Sequence, residues 1–236
     1  MTINIALICV RAGSKGLPGK NQMQLEDKSL LERAVEQARS ISLINRVIVS
    51  TDCPIMADIA IKSGAEVPFM RPSILATDTS PEWHVWQHAI NYLKSESTLL
   101  LNSLVVLPVT SPLRNNKDIE ECMAVFNKKN HDIVISVSEA KRNPYFNMVR
   151  INEKGNLELA IKSNIKYTRR QDAPVIYDIT TIAYVVDPIF VLNNSGIFDG
   201  KVGYVKVPPE RAVDIDDAID FELTKILLRN KYDRFK

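Results

Sequence analysis

The chain opens on an almost unbroken apolar run, Ile3 to Val10, rich in β-branched residues. Such a run reads as a strand covered on both faces, as in a parallel sheet. From Ser29 the spacing turns helical: Leu30, Leu31, Ala34, Val35, Ala38 and Ile41 fall on one face. Ser29 with Glu32 three residues on predicts a capping box at that helix's start. Arg46 to Ser50 predicts a second buried strand, Pro54 to Ser63 a helix stopped by Gly64, and Ala65 to Phe69 a short third strand. Pro81 opens a helix bearing Trp83, Val85, Trp86, Ala89, Ile90 and Leu93. Leu104 to Leu107 then predicts a central strand, Asp118 to Lys129 a helix, and Ile133 to Val137 another strand.

Strands alternating with helices at this spacing predict βαβ units: an α/β fold, a three-layer αβα Rossmann-like arrangement around a mainly parallel sheet. In such sheets ligands lie beyond the carboxyl ends of the strands, so the loops there are the ones to interrogate. After Glu139 the pattern becomes polar and turn-rich, and residues from about 140 to 180 read as a small lid or lobe. Ile182 to Val186 and Val202 to Val207 are strand-like again, and a helix is predicted from Asp217 to Arg229. No linker or repeat divides the chain, so 1–236 is expected to be one domain with that lobe.

Composition narrows the function classes. Lys and Arg number 30 against 28 Asp and Glu, a net charge of +2, so no global field points to nucleic acid or to an anionic membrane. No apolar run approaches the ~20 residues of a membrane span. Cys9, Cys53 and Cys122 are scattered without a CxxC spacing and read as reduced thiols, as expected of a soluble cytoplasmic protein with no leader.

Glycine is scarce, 8 in all, yet Gly13, Gly16 and Gly19 share one stretch with Arg11, Lys15 and Lys20 directly after the first strand. Glycines let backbone N–H groups turn toward phosphate oxygens, and the cations would offset a triphosphate's charge. Neither the Walker nor the GxGxxG spacing is present. A solvated basic loop is the other reading of this stretch. Asp214 and Asp216 are two apart on an extended segment, so both can face one hard cation; Asp216 could instead cap the helix that follows. His84 and His88 sit at i, i+4 beside Trp83 and Trp86, a spacing more typical of a packed helix than of a metal site without a third ligand.

The motif Arg11-x-x-Ser14-Lys15-Gly16-x-x-x-Lys20-Asn21 resembles the signature of acylneuraminate cytidylyltransferases, the CMP-sialic acid synthetases and their nonulosonate relatives. The resemblance continues through Ser50-Thr51-Asp52, Arg71-Pro72-x-x-Leu75-Ala76-x-Asp78, Thr110-Ser111-Pro112-Leu113-Arg114, Arg170-Gln171 with Pro174, and Asp214-Ile215-Asp216. It implies a nucleotidyltransferase that passes CMP from CTP to the anomeric hydroxyl of a nine-carbon 2-keto sugar acid, releasing pyrophosphate with Mg²⁺ as cofactor. It also implies roles for individual residues. Arg11, Ala12, Gly13, Ser14, Lys15, Lys20 and Asn21 would hold the nucleotide, together with Arg71, Asp78, Thr79 and Ser80. Arg11, Lys15, Lys20 and Asp216 would carry the catalysis, and Asp214 and Asp216 the metal. Thr110, Ser111, Arg170, Gln171 and Tyr184 would meet the sugar acid. A homodimer is implied as well, with the 140–180 lobe reaching over a partner's site. The sequence departs from the family pattern at Pro108, where relatives carry a glutamine, at Thr180-Thr181, in place of Asn-Gly, and at Phe146, in place of a lysine. Alternatives left open are a cytidylyltransferase for the eight-carbon acid Kdo, an NAD-dependent oxidoreductase, and an inactive nucleotide-binding module.

Overall fold

A computed structural model describes residues 2–13, 16–96 and 100–233, with side chains described as far as residue 229. Its elements in chain order begin with β1 (Thr2–Cys9), the short hairpin strands β2 (Gln24–Leu25) and β3 (Lys28–Ser29), α1 (Leu30–Ser40), β4 (Arg46–Ser50) and α2 (Pro54–Lys62). There follow α3 (Glu82–Glu96), β5 (Leu100–Val106), α4 (Asn116–Phe126), β6 (Ile133–Glu139), β7 (Val149–Ile151) and β8 (Leu157–Leu159). The chain closes with β9 (Tyr177–Val186), α5 (Pro188–Asn193), β10 (Val202–Lys206) and α6 (Ala218–Asp233).

Six strands form one sheet in the order β10-β6-β9-β5-β1-β4. β4, β1 and β5 pair in parallel, as do β6 and β10; β9 runs antiparallel between β5 and β6. Strand β1 shows why two helical layers are needed. Its Ile3, Ile5 and Leu7 enter the core under α3 and α5, whereas Ala6 and Ile8 enter the core under α1, α2, α4 and α6. Period-two alternation with both faces apolar is satisfied only by cover on both sides. From β1 the chain passes to β4 on one side and later returns to β5 on the other. The crevice beyond Cys9 and Val106 is therefore a topological switch point, where ligands of α/β sheets bind.

Local expectations were met where local chemistry sufficed. The capping box is present: Glu32 N–H donates to Ser29 Oγ at 3.2 Å and Ser29 N–H to Glu32 Oε2 at 2.7 Å. The strand expected at Ala65–Phe69 is not formed; only two isolated bridges occur, Ile48 with Glu66 and Thr51 with Met70. Pro68 brings no N–H to a ladder, so pairing cannot run through it. Asp216 does not cap α6. Asp217 does, its Oδ1 accepting from Ile219 and Asp220 N–H at 2.8 and 3.0 Å, while Asp220 Oδ2 accepts from the N–H groups of Asp216 and Asp217.

Replacing a β1 side chain tests this core directly. Leu7 is fully buried, and Leu7→Ala should cost about 2–5 kcal/mol. The measurement is a lower urea midpoint at unchanged slope.

Candidate active site

The loop after β1 folds back on itself through Gly19, whose φ of 72° is the left-handed conformation that leads into the turn Lys20–Gln22. Asn21, buried beneath it, donates from Nδ2 to the Arg11 carbonyl at 3.3 Å, and Ala12 N–H donates to Asp52 Oδ1 at 3.1 Å. Gly16 presses against the far end of the chain: a Cβ there would lie 2.3 Å from the Asp216 carbonyl oxygen. Lys20 makes the same crossing with its ammonium, donating to the Ile215 carbonyl at 2.7 Å and lying 3.3 Å from Asp216 Oδ1.

The 211–217 segment is fixed from several sides. Arg211 forks onto the buried Asp118 carboxylate at 2.8 and 2.9 Å, Ile215 is buried, and its N–H donates to the Thr110 carbonyl at 2.9 Å. With capping left to Asp217, the Asp216 side chain stays 76% exposed. Asp214 differs from it: its Oδ1 is buried with no hydrogen-bond partner. Burial, reinforced by the Asp216 charge, raises its pKa against the pull of Thr110, Thr181 and Lys20. A buried carboxylate oxygen without a donor, beside an exposed carboxylate, fits a hard divalent cation. Among the described residues no group of three or more His, Cys, Asp or Glu gathers, so remaining coordination positions would fall to ligand oxygens and water.

These segments line a cavity of about 590 Å³ at the switch point. Arg11, Gly13, Gly16, Lys20 and Asn21 form one wall. Arg71, Asp78, Ser80 and Glu82 form a second, and Pro108, Thr110, Thr181, Tyr184 and Asp216 a third. Arg11 reaches across to Asp78 at 2.6 Å. Both partners are about one-third exposed, and such screened pairs contribute little to stability, leaving Arg11 able to exchange Asp78 for a phosphate. Arg71 is buried and bonded to Ser50, with Nε 3.1 Å from Ser50 Oγ.

The expected residues divide accordingly. Arg11, Gly13, Lys20, Asn21, Arg71, Asp78, Ser80, Thr110, Tyr184 and Asp216 line the cavity; Ala12 and Thr79 stand exposed in the same loops and do not line it. Asp214 lies beneath Thr110 and Thr181 rather than on the surface of the wall. Ser111 is fully buried, its hydroxyl 2.5 Å from Thr181 Oγ1. Arg170 and Gln171 are not brought here; they line a separate cavity with Glu139, Ala140 and Asn143. Ser14 and Lys15 lie outside the described residues. His88 packs edge-on against Phe69 at 4.8 Å between ring centroids.

A family model described as Cytidylyltransferase matches residues 5–232. The chain belongs to the cytidylyltransferase family. It is 30% identical over 227 residues to a CMP-N,N'-diacetyllegionaminic acid synthase of Campylobacter jejuni, covering 96% of this chain and 95% of that one. It is 31% identical over 235 residues to an N-acylneuraminate cytidylyltransferase of Escherichia coli, covering 98% of this chain and 53% of the relative. Its fold matches that of a CMP:2-keto-3-deoxy-manno-octonic acid synthetase complexed with CTP, with a TM-score of 0.71 at 15% identity over 97% of this chain and 99% of the other.

Within this cytidylyltransferase, sequence reasoning missed Glu82 and Cys9. Glu82 faces the cavity's solvent yet is ringed by protein, with Trp86 Nε1 donating to its Oε1 at 3.3 Å. That crowding raises its pKa, while Trp86, Arg71 and the Cys9 thiol oppose the rise. Burial pushes the Cys9 thiol up in turn, with the Glu82 charge adding to it. Tyr184, stacked at a tilt on Trp86 at 5.6 Å, is pushed up to about 12 by burial and by the charges of Glu82 and Asp214. The signal in the sequence was position: Glu82 follows Pro81, which opens a helix directly after Asp78-Thr79-Ser80.

An acid whose pKa is higher folded than unfolded costs stability when ionised; the cost is full above the folded pKa and vanishes below the unfolded one. Glu82→Gln should therefore raise the melting temperature at about pH 8, by roughly 2–4 °C per kcal/mol relieved, and leave it unchanged near pH 3. An equal rise at both pH values would trace the effect to shape instead.

Proposed function

We propose that the chain transfers CMP from CTP to the anomeric hydroxyl of a sialic-acid-like nonulosonic acid, giving the CMP-sugar and pyrophosphate. One observation carries the reading: Lys20 and Gly16 of the glycine-rich loop close on the Ile215-Asp216 backbone across a single cavity. A cationic, N–H-bearing loop facing two carboxylates is what a nucleoside triphosphate with a divalent cation requires. Relatives named for legionaminic and acylneuraminic acids support the acceptor class.

Arg11, Lys20 and the loop N–H groups would bind the triphosphate and hold the α-phosphate in line for attack, so that catalysis is positioning plus charge stabilisation. Asp214 and Asp216 would hold Mg²⁺, which when bound draws charge from the phosphate oxygens. Arg71, Asp78 and Ser80 would seat the nucleoside, and Thr110, Thr181 and Tyr184 the sugar acid. No helix among the described residues is long and apolar enough to cross a membrane. Three free thiols suit the cytoplasm.

We further propose a homodimer. The 140–180 lobe exposes Val149, Ile151, Leu157 and Ile165, an apolar set that a second copy would cover. Arg170 and Gln171, remote from this subunit's cavity, would then approach the partner's sugar site, where an arginine fork suits a carboxylate. Light scattering at the monomer mass with full activity would sink the dimer.

The assay for the reaction is pyrophosphate release from CTP and Mg²⁺ with a panel of nine-carbon 2-keto acids and the eight-carbon acid. Release with the nine-carbon acids is expected, and none with any acid would overturn the reading. Lys20→Ala and Asp216→Asn should each lower kcat/KM by roughly 10²-fold or more.

A further inference from the structure

A regular antiparallel pair advances one residue on each strand, and β6 and β9 break that rule beside the cavity. Ile135 is opposite Tyr184, but the next residue, Ser136, is opposite Thr180. Thr181, Ile182 and Ala183 thus stand in a bulge with no partner on β6. Bulges next to active sites re-aim side chains, and the outcome here is visible in the cores. Ile182 and Ala183 both enter the core that holds Val185. Strict alternation would put Ile182 on the Tyr184 face and Thr181 in the core. With the bulge, Thr181 and Tyr184 both line the cavity.

No residue of the bulge takes a positive φ, so the distortion is held by side chains rather than by glycine. Ser136, fully buried on β6, accepts at Oγ from Thr180 Oγ1 at 2.8 Å and from Ala183 N–H at 3.2 Å. Its single proton can go to the Thr180 or the Ala183 carbonyl, each 3.3 Å away. That uses the one donor and two acceptors a serine possesses. Arg114 donates from Nη1 to the Ile182 carbonyl at 3.2 Å, and the Ser111 hydroxyl meets Thr181 Oγ1 at 2.5 Å. Each of the three extra residues therefore has its own polar partner.

We infer that Ser136, with Ser111 and Arg114, is a positioning residue that sets acceptor selectivity by clamping the β9 bulge and so delivering Thr181 to the cavity. The inference rests on the reading above that the Thr181–Tyr184 end receives the sugar acid. It gives Ser111 and Arg114 a role that needs no contact with substrate.

The test is steady-state kinetics on Ser136→Ala, Thr181→Val and the double variant. Ser136→Ala should raise the KM for the sugar acid about tenfold, the value of one hydrogen bond, and leave the KM for CTP within about twofold. Thr181→Val should do the same, and the double variant should add nothing, as coupled residues behave. Ser136→Thr, which keeps the hydroxyl, should restore the acceptor KM. KM values that rise together, or effects that add, would overturn the inference. Should Ser136→Ala fail to fold, Ser111→Ala releases Thr181 without touching the strand pairing. An unchanged acceptor KM in it overturns the clamp, and a raised one supports it. A wild-type chain silent with every acid defeats the reaction reading instead. The clamp is then decided by the crystal structure of Ser136→Ala: Thr181 withdrawn from the cavity supports it, and an unaltered bulge overturns it.

Discussion

The site depends on one meeting of segments nearly two hundred positions apart: the Lys20 ammonium on the Ile215 carbonyl, with Gly16 laid against Asp216. Closing so long a loop costs entropy that one hydrogen bond cannot offset. The meeting persists because each side is already anchored elsewhere. The early loop is held by buried Asn21, and the late segment by buried Ile215, by Arg211 on Asp118 and by the Thr110 carbonyl. Lys20 therefore joins two prefixed surfaces, and the cavity between them is preorganised before any ligand arrives.

How much of this could be read beforehand follows from the range of each interaction. The Ser29–Glu32 box, β1 and the switch-point loop depend on neighbours in sequence, and their residues announce them. The antiparallel course of β9 does not: Ile182 to Val186 is apolar in either direction, and direction is set by pairing partners far along the chain. Asp214-Ile215-Asp216-Asp217 offered several carboxylates for one cap. Which of them caps α6 was decided by the reach of Asp220 back to the helix start. Ser111 was conspicuous as a residue but misleading as a contact: its hydroxyl is spent on the Thr181 side chain, and the neighbouring Arg114 spends its guanidinium on backbone carbonyls.

Arg114 shows what that spending involves. It is buried, bonded to Gln37, Pro108 and Ile182, and burial lowers its pKa to about 10 with the Asp118 charge opposing. A buried arginine is tolerable only when its fork is satisfied. Here two of the acceptors are carbonyls of segments that border the cavity, at Pro108 and in the β9 bulge. Removing the guanidinium would strand both carbonyls at once, so the same side chain ties the β5 loop to the bulge.

The cavity's electrostatics complete the design. Its cations lie on the loop after β1 and on Arg71; Glu82 shares the wall of Arg71, Asp216 lies beside Lys20, and Asp214 sits behind the lining next to Thr110 and Thr181. Glu82 and Asp214 are both crowded toward the protonated form, and their charges raise Tyr184 as well. That end of the cavity thus resists further negative charge unless a cation joins it, whereas the Arg11–Lys20 end attracts negative charge. A nucleotide bound as proposed would meet this difference, with its phosphates toward the glycine-rich loop. A carboxylate-bearing acceptor is then disfavoured near Glu82 and Tyr184 unless it brings its counter-charge from outside the wall, the place an arginine of a second copy would fill.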